Sequence, residues 1–123
     1  MPDAPPSTGH LCGQLYATLR ALEALAAAHR KLEDLRPNDK VRTSPLKWLP
    51  GMLGEAGGHL VRARRRGPAH GAAADELFRA IPDCLPPRGN LPGSLSHGEP
   101  DRFDEGYRLR MAEYTAAHSA LLA

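Results

Sequence analysis

Between Thr43 and Arg66 the apolar side chains return at the period of an α-helix while the basic ones gather on the other side, and no other stretch constrains the fold as much. At 100° per residue, Leu49, Met52, Leu53, Ala56, Leu60 and Ala63 share an arc of roughly 100°, with Lys47, Arg62 and Arg65 nearly opposite. Ser44 followed by Pro45 is a helix start, because proline at the first helical position gives up a donor that would have no partner anyway. Pro50 either bends the first turns or restarts the helix at Leu49. Gly51, Gly54, Gly57 and Gly58 each lower helix propensity by roughly 1 kcal/mol relative to alanine, so the segment needs tertiary packing to persist.

The rest of the chain reads as further helices. Residues 1–8 hold three prolines among small polar residues and are expected to form a disordered tail. From Gly9 to about Leu35 the positions Leu11, Leu15, Leu19, Leu22, Ala26 and His29 form a helical stripe, with Thr8 as its cap and Pro37 as its terminator. Residues 36–44 read as a polar loop. Asp75–Ile81 predicts a short helix with Leu77, Phe78 and Ile81 inward, closed by Pro82. The four prolines and two glycines of residues 82–95 exclude regular structure from most of that segment. Ser96 and Glu99 have capping-box spacing, and a last helix is expected from there to Leu121, burying Phe103, Tyr107, Tyr114, Ala117 and Leu121. Arg110 falls inside that stripe, where a charge must snorkel, pair with a carboxylate or face a subunit interface. The expected fold is an all-α bundle of about four helices, forming one domain over residues 9–123.

Composition narrows the function. A chain of 123 residues with 41% hydrophobic side chains supports one core. The net charge of +2 hides an asymmetry: residues 1–74 carry 11 basic and 6 acidic side chains, residues 75–123 carry 5 and 8. Such polarity suits an anionic partner on one side and a basic neighbour on the other. Cys12 and Cys84 lack the spacing of a disulfide framework or zinc cluster. No apolar run reaches the roughly 20 residues of a bilayer span, and MPDAPPSTGH lacks the features of a signal peptide, so a cytoplasmic location with no membrane contact is expected. There is no glycine-rich phosphate loop, no H-E-x-x-H, no G-x-S-x-G and no histidine pair at ligand spacing. Neither catalysis, a cofactor nor a metal is expected.

What remains is positive charge. Arg62, Arg64, Arg65 and Arg66, joined by Lys47 and by Arg30, Lys31, Arg36, Lys40 and Arg42, suit phosphates, which present the same oxygens whatever the base sequence. Cations also gather at helix C-termini for dipole reasons alone. Beyond Trp48 and Tyr16 few exposed aromatics are expected, so base stacking would only assist.

The order of motifs resembles the C-terminal helical region of the large subunit of type I-C CRISPR interference (Cascade) complexes, a region that also occurs as a separate small subunit. Gly13, Leu15, Tyr16 and Ala17 match the family's opening segment. Thr43, Ser44, Pro45, Trp48, Leu49, Pro50, Leu53, His59 and Leu60 resemble its second, and Phe103, Gly106 and Tyr107 its terminal Phe-x-x-Gly-Tyr step. The chain departs from the family at Arg108–Met111. The resemblance implies a non-catalytic small subunit of a crRNA-guided complex. Several copies would stand beside other Cascade subunits, and their basic faces would hold the backbone of the displaced DNA strand. The alternatives from the residues alone are a helical interaction module or inhibitor with an acidic protein partner, and a stand-alone nonspecific DNA-binding protein.

Overall fold

The computed structural model describes residues 7–27, 39–86, 91–95 and 98–122, with the side chains of residues 39 and 40 left out. These residues form six helices and no strand, four of the helices long enough to shape the bundle. They are α1 (Thr8–Ala26), α2 (Asp39–Thr43), α3 (Pro45–Arg66), α4 (Pro68–Ala80), α5 (Glu99–Ala117) and α6 (Ser119–Leu122), with a 3₁₀ turn at Ile81–Cys84 between α4 and α5. The all-α bundle expected from the sequence is the observed fold.

Alanine and leucine, the strongest helix formers, dominate α1, and thirteen of its nineteen residues are buried. A helix with so wide an apolar face belongs at the centre. Accordingly α1 lies against α5 most extensively and also against α3 and α4. Its burial is wider than one stripe, taking in Ala17, Thr18, Ala21, Ala24 and Leu25. The cap is Ser7, one residue before the expected Thr8, and its side chain accepts a hydrogen bond from the His10 N–H at 3.1 Å. The helix also ends earlier than expected, since Ala27 is extended at φ −124° and ψ 112°. Pro37 and His29 lie outside the described residues, as does the tail up to Pro6.

Where α1 crosses α5 the two backbones touch. A methyl group at Gly13 would overlap the Phe103 carbonyl, and one at Gly106 would overlap the His10 carbonyl. The approach brings Tyr16 within ring-centroid distances of 5.8 Å of Phe103 and 5.4 Å of Tyr107. Offset and tilted aromatic pairs of this kind add to the area they bury. Gly13, Tyr16, Phe103, Gly106 and Tyr107, all residues on which the family resemblance rests, therefore meet at one packing site. Tyr16, expected to be exposed, is buried there.

The remaining elements close around this pair. The expected loop at 36–44 contains α2, which buries Val41. Helix α3 runs unbroken through Pro50, close enough to its start that the lost hydrogen bond is tolerated, and Ser44 makes no side-chain cap. The Pro92 carbonyl accepts from the Leu46 N–H at 3.0 Å and takes over part of that capping. Leu49, Ala56 and Ala63 are buried, and Met52, Leu53 and Leu60 lie against the core, as the periodicity predicts. Gly67, at φ 145°, turns the chain sharply into α4. That helix begins well before the expected Asp75, and Phe78 faces outward instead of in.

Helix α5 begins after Gly98 at φ 82°, without a side-chain cap, while Ser96 lies outside the described residues. Glu99 reaches away from its own helix. Its carboxylate accepts from the Gly9 N–H at 2.7 Å, satisfying a donor in the first turn of α1. Phe103, Gly106, Tyr107 and Tyr114 are buried on α5, Ala117 is exposed, and Leu122 on α6 is the buried leucine at the end of the chain.

Candidate nucleic-acid interface

Six of the basic residues singled out from the sequence have described side chains, and a seventh, Lys40, has only its backbone described, on α2. Arg30, Lys31 and Arg36 lie outside the described residues. The structure divides the six into two groups with different physical roles.

Arg42, Arg64 and Arg66 are engaged within the chain. Arg42 reaches Asp104 at 3.0 Å and Asp101 at 3.5 Å, and donates to the Pro100 carbonyl at 3.4 Å, so it ties α2 to the start of α5. Arg64 pairs with Asp75 at 2.6 Å across the α3–α4 corner. Arg66 donates to the Leu25 carbonyl at 2.8 Å and to the Ala24 carbonyl at 3.4 Å. Those are orphan acceptors in the last turn of α1, where a cation is also favoured by the helix dipole. All three were expected among the phosphate-binding residues; in the structure each holds helices together. Sequence spacing along one helix could not show this, because every partner lies on another element.

Lys47, Arg62 and Arg65 are the second group. All three are exposed on α3, and among the described residues none has a carboxylate within ion-pair distance. Lys47 and Arg65 are five turns apart and so point the same way, about 27 Å apart along the axis, with Arg62 roughly 60° to one side. Between them Gly51, Gly54 and Gly57 present bare backbone with open space around it. The result is a strip of small residues with cations along it and the exposed Glu55 at its Arg62 edge, on which a polyanion can lie close to the glycine backbone.

Arg62 is positioned by its neighbour. Its Nη2 lies 2.6 Å from His59 Nδ1, and since a guanidinium can only donate, the imidazole accepts there and carries its proton on Nε2. Burial and then the Arg62 charge hold the His59 pKa below the usual imidazole range, in keeping with a neutral ring. Glu55 is 3.9 Å from Nε2. Lys47 Nζ sits 5.4 Å from the centroid of the Trp48 ring, which is 38% exposed.

Arg110, expected at a subunit interface, turns into its own chain. Its side chain is 23% exposed, 3.9 Å from Glu113, and close enough to Tyr114 and Cys84 to lower the pKa of both against the upward push of burial. Among the described residues no group of three or more His, Cys, Asp or Glu side chains is placed to hold a metal, and no helix is long and apolar enough to cross a membrane. No protein-family model matches the chain, and no curated protein or solved structure is found similar to it.

Proposed function

We propose that this chain is a non-catalytic subunit that grips polynucleotide phosphate within a larger crRNA-guided complex, with α3 as the gripping element. The observation that supports it is the division of the arginines. Three are engaged in holding the bundle, whereas Lys47, Arg62 and Arg65 remain exposed and uncompensated on one helix. The resemblance to the small-subunit region of type I-C Cascade supplies the assembly. There, exchange of a DNA duplex for an RNA–DNA hybrid is nearly balanced, so a modest grip on the displaced strand tips it.

Magnitudes favour a subunit over a stand-alone DNA-binding protein. Three phosphate contacts on a single strand give a salt slope of only about −2 in log K against log salt, which is weak binding at physiological ionic strength. Held in place by neighbouring subunits, the same contacts act at a high effective concentration. Charge reversal of Arg62 and Arg65 together is expected to reduce R-loop yield at moderate salt while the assembled complex still copurifies with its crRNA. Undiminished R-loop formation would count against the assignment. Copurification with one acidic protein and no RNA would replace it with an adaptor role.

A further inference from the structure

A cleft of about 220 Å³ opens between α1, α2 and α3, beside the cationic strip. Leu19 and Met52 line its apolar part, and Trp48 supplies an aromatic wall. Its polar lining is Arg20 and Glu23, ion-paired at 2.9 Å, together with Glu55 and His59. The volume lies below the roughly 300–1,000 Å³ of sites for drug-sized ligands, and fits a single ring system.

The charges sort the possible ligands. One guanidinium against two carboxylates, with the imidazole neutral, gives the lining a net negative charge that repels phosphate. The rim is the reverse. Lys47 stands over the Trp48 ring, and Arg62 is hydrogen-bonded to His59, so a cation borders the cleft at each end of its α3 side. A cationic peptide would meet those two charges on entry. A flat, uncharged ring attached to a phosphate chain meets neither obstacle. It offers a π-face to Trp48, and amino or imino N–H donors to Glu55 and Glu23, as when carboxylates accept from cytosine N4.

We propose that this cleft receives one unstacked nucleobase, cytosine or guanine in preference to thymine, from a single strand whose backbone runs several nucleotides along α3, over the roughly 22 Å from Lys47 to Arg62. The inference rests on the phosphate-gripping role of α3 and adds to it a base-binding subsite. Thymine is disfavoured because its two carbonyl oxygens would face carboxylates.

Trp48 is the only tryptophan, so its emission reports the cleft directly. Titration of the full chain with the phosphate-free nucleosides cytidine, guanosine and thymidine, excited at the red edge, is expected to give saturable quenching by the first two and less by the third. In parallel, anisotropy of a labelled cytosine-containing oligonucleotide measures strand binding. W48L is expected to weaken it about tenfold with the salt slope unchanged, circular dichroism checking the fold. E55Q is expected to reduce quenching by cytidine while raising the affinity for inorganic polyphosphate. If nucleosides leave Trp48 emission unchanged while the oligonucleotide and polyphosphate bind alike, the subsite is refuted and the phosphate grip stands. If nucleosides quench but neither polymer binds, the subsite stands and the grip fails. Quenching by an oligo-arginine peptide in place of nucleosides would overturn the subsite by assigning the cleft to a cation.

Discussion

Thr18 is fully buried, and its hydroxyl is fully used. It lies 2.9 Å from the Gln14 carbonyl, to which it donates, and 2.6 Å from the Tyr114 hydroxyl, which then donates to it. Thr18→Val removes this pair while Tyr114 keeps Arg110 as a partner, so it should destabilise the fold by about 1 kcal/mol in urea titration. Tyr114→Phe removes the other hydroxyl, and the double variant should be less destabilised than the sum of the two singles. Strict additivity would show that the two hydroxyls do not depend on each other. Residue-scale roles of this kind are the least legible in the sequence. Thr18 and Tyr114 are 96 positions apart, and no period along either helix marks them as partners. The same holds for Arg64 and Arg66, which bond to other helices, whereas their neighbours Arg62 and Arg65 look identical in the chain and have no carboxylate within ion-pair distance among the described residues.

At the scale of helices the apolar periodicity of α3 was fully legible, because one face of it is solvated and the contrast between faces survives in the sequence. Helix α1 was harder. Alanine- and leucine-rich sequence continues past Ala26 without a stop signal before Pro37, so the periodicity predicts a helix to Leu35 where the structure ends it at Ala26. Nothing in the sequence marks Gly13 and Gly106 as a crossing point, because the close contact depends on the second helix. Gly13→Ala or Gly106→Ala would force the backbones apart and should each cost about 3 kcal/mol by chemical denaturation, well above an ordinary surface change. Arg66→Gln should lower stability by about 1–2 kcal/mol, through loss of the charge-assisted bonds to the end of α1, and leave the salt slope of DNA binding untouched. A reduced slope would return Arg66 to the gripping set. Gly13, Tyr16, Phe103, Gly106 and Tyr107 are explained by packing at this crossing, so their spacing in the sequence speaks for architecture and not for function.

For the whole molecule, burial of weak acids sets an alkaline limit. Burial, aided by Glu99, pushes the Cys12 thiol from 9.0 up to about 12, and burial lifts the Tyr107 hydroxyl from 10.0 to about 12. The unfolded chain releases these protons first, so the stability they contribute is fully present below pH 9 and declines as pH rises from 9 towards 12. Thermal melts should therefore show a nearly constant midpoint just below pH 9 and a steady fall above it. A midpoint unchanged to pH 11 would mean that both groups are open to solvent. The link from Glu99 to the Gly9 amide has a consequence for how the chain is made. Helix α1 receives its final partner only after about 70 further residues, up to Glu99 and the rest of α5, have been made. Until then its leucines lack the cover that α5 provides. A fragment ending before Glu99 is therefore expected to leave the leucines of α1 uncovered and to aggregate, which light scattering of residues 1–98 would check.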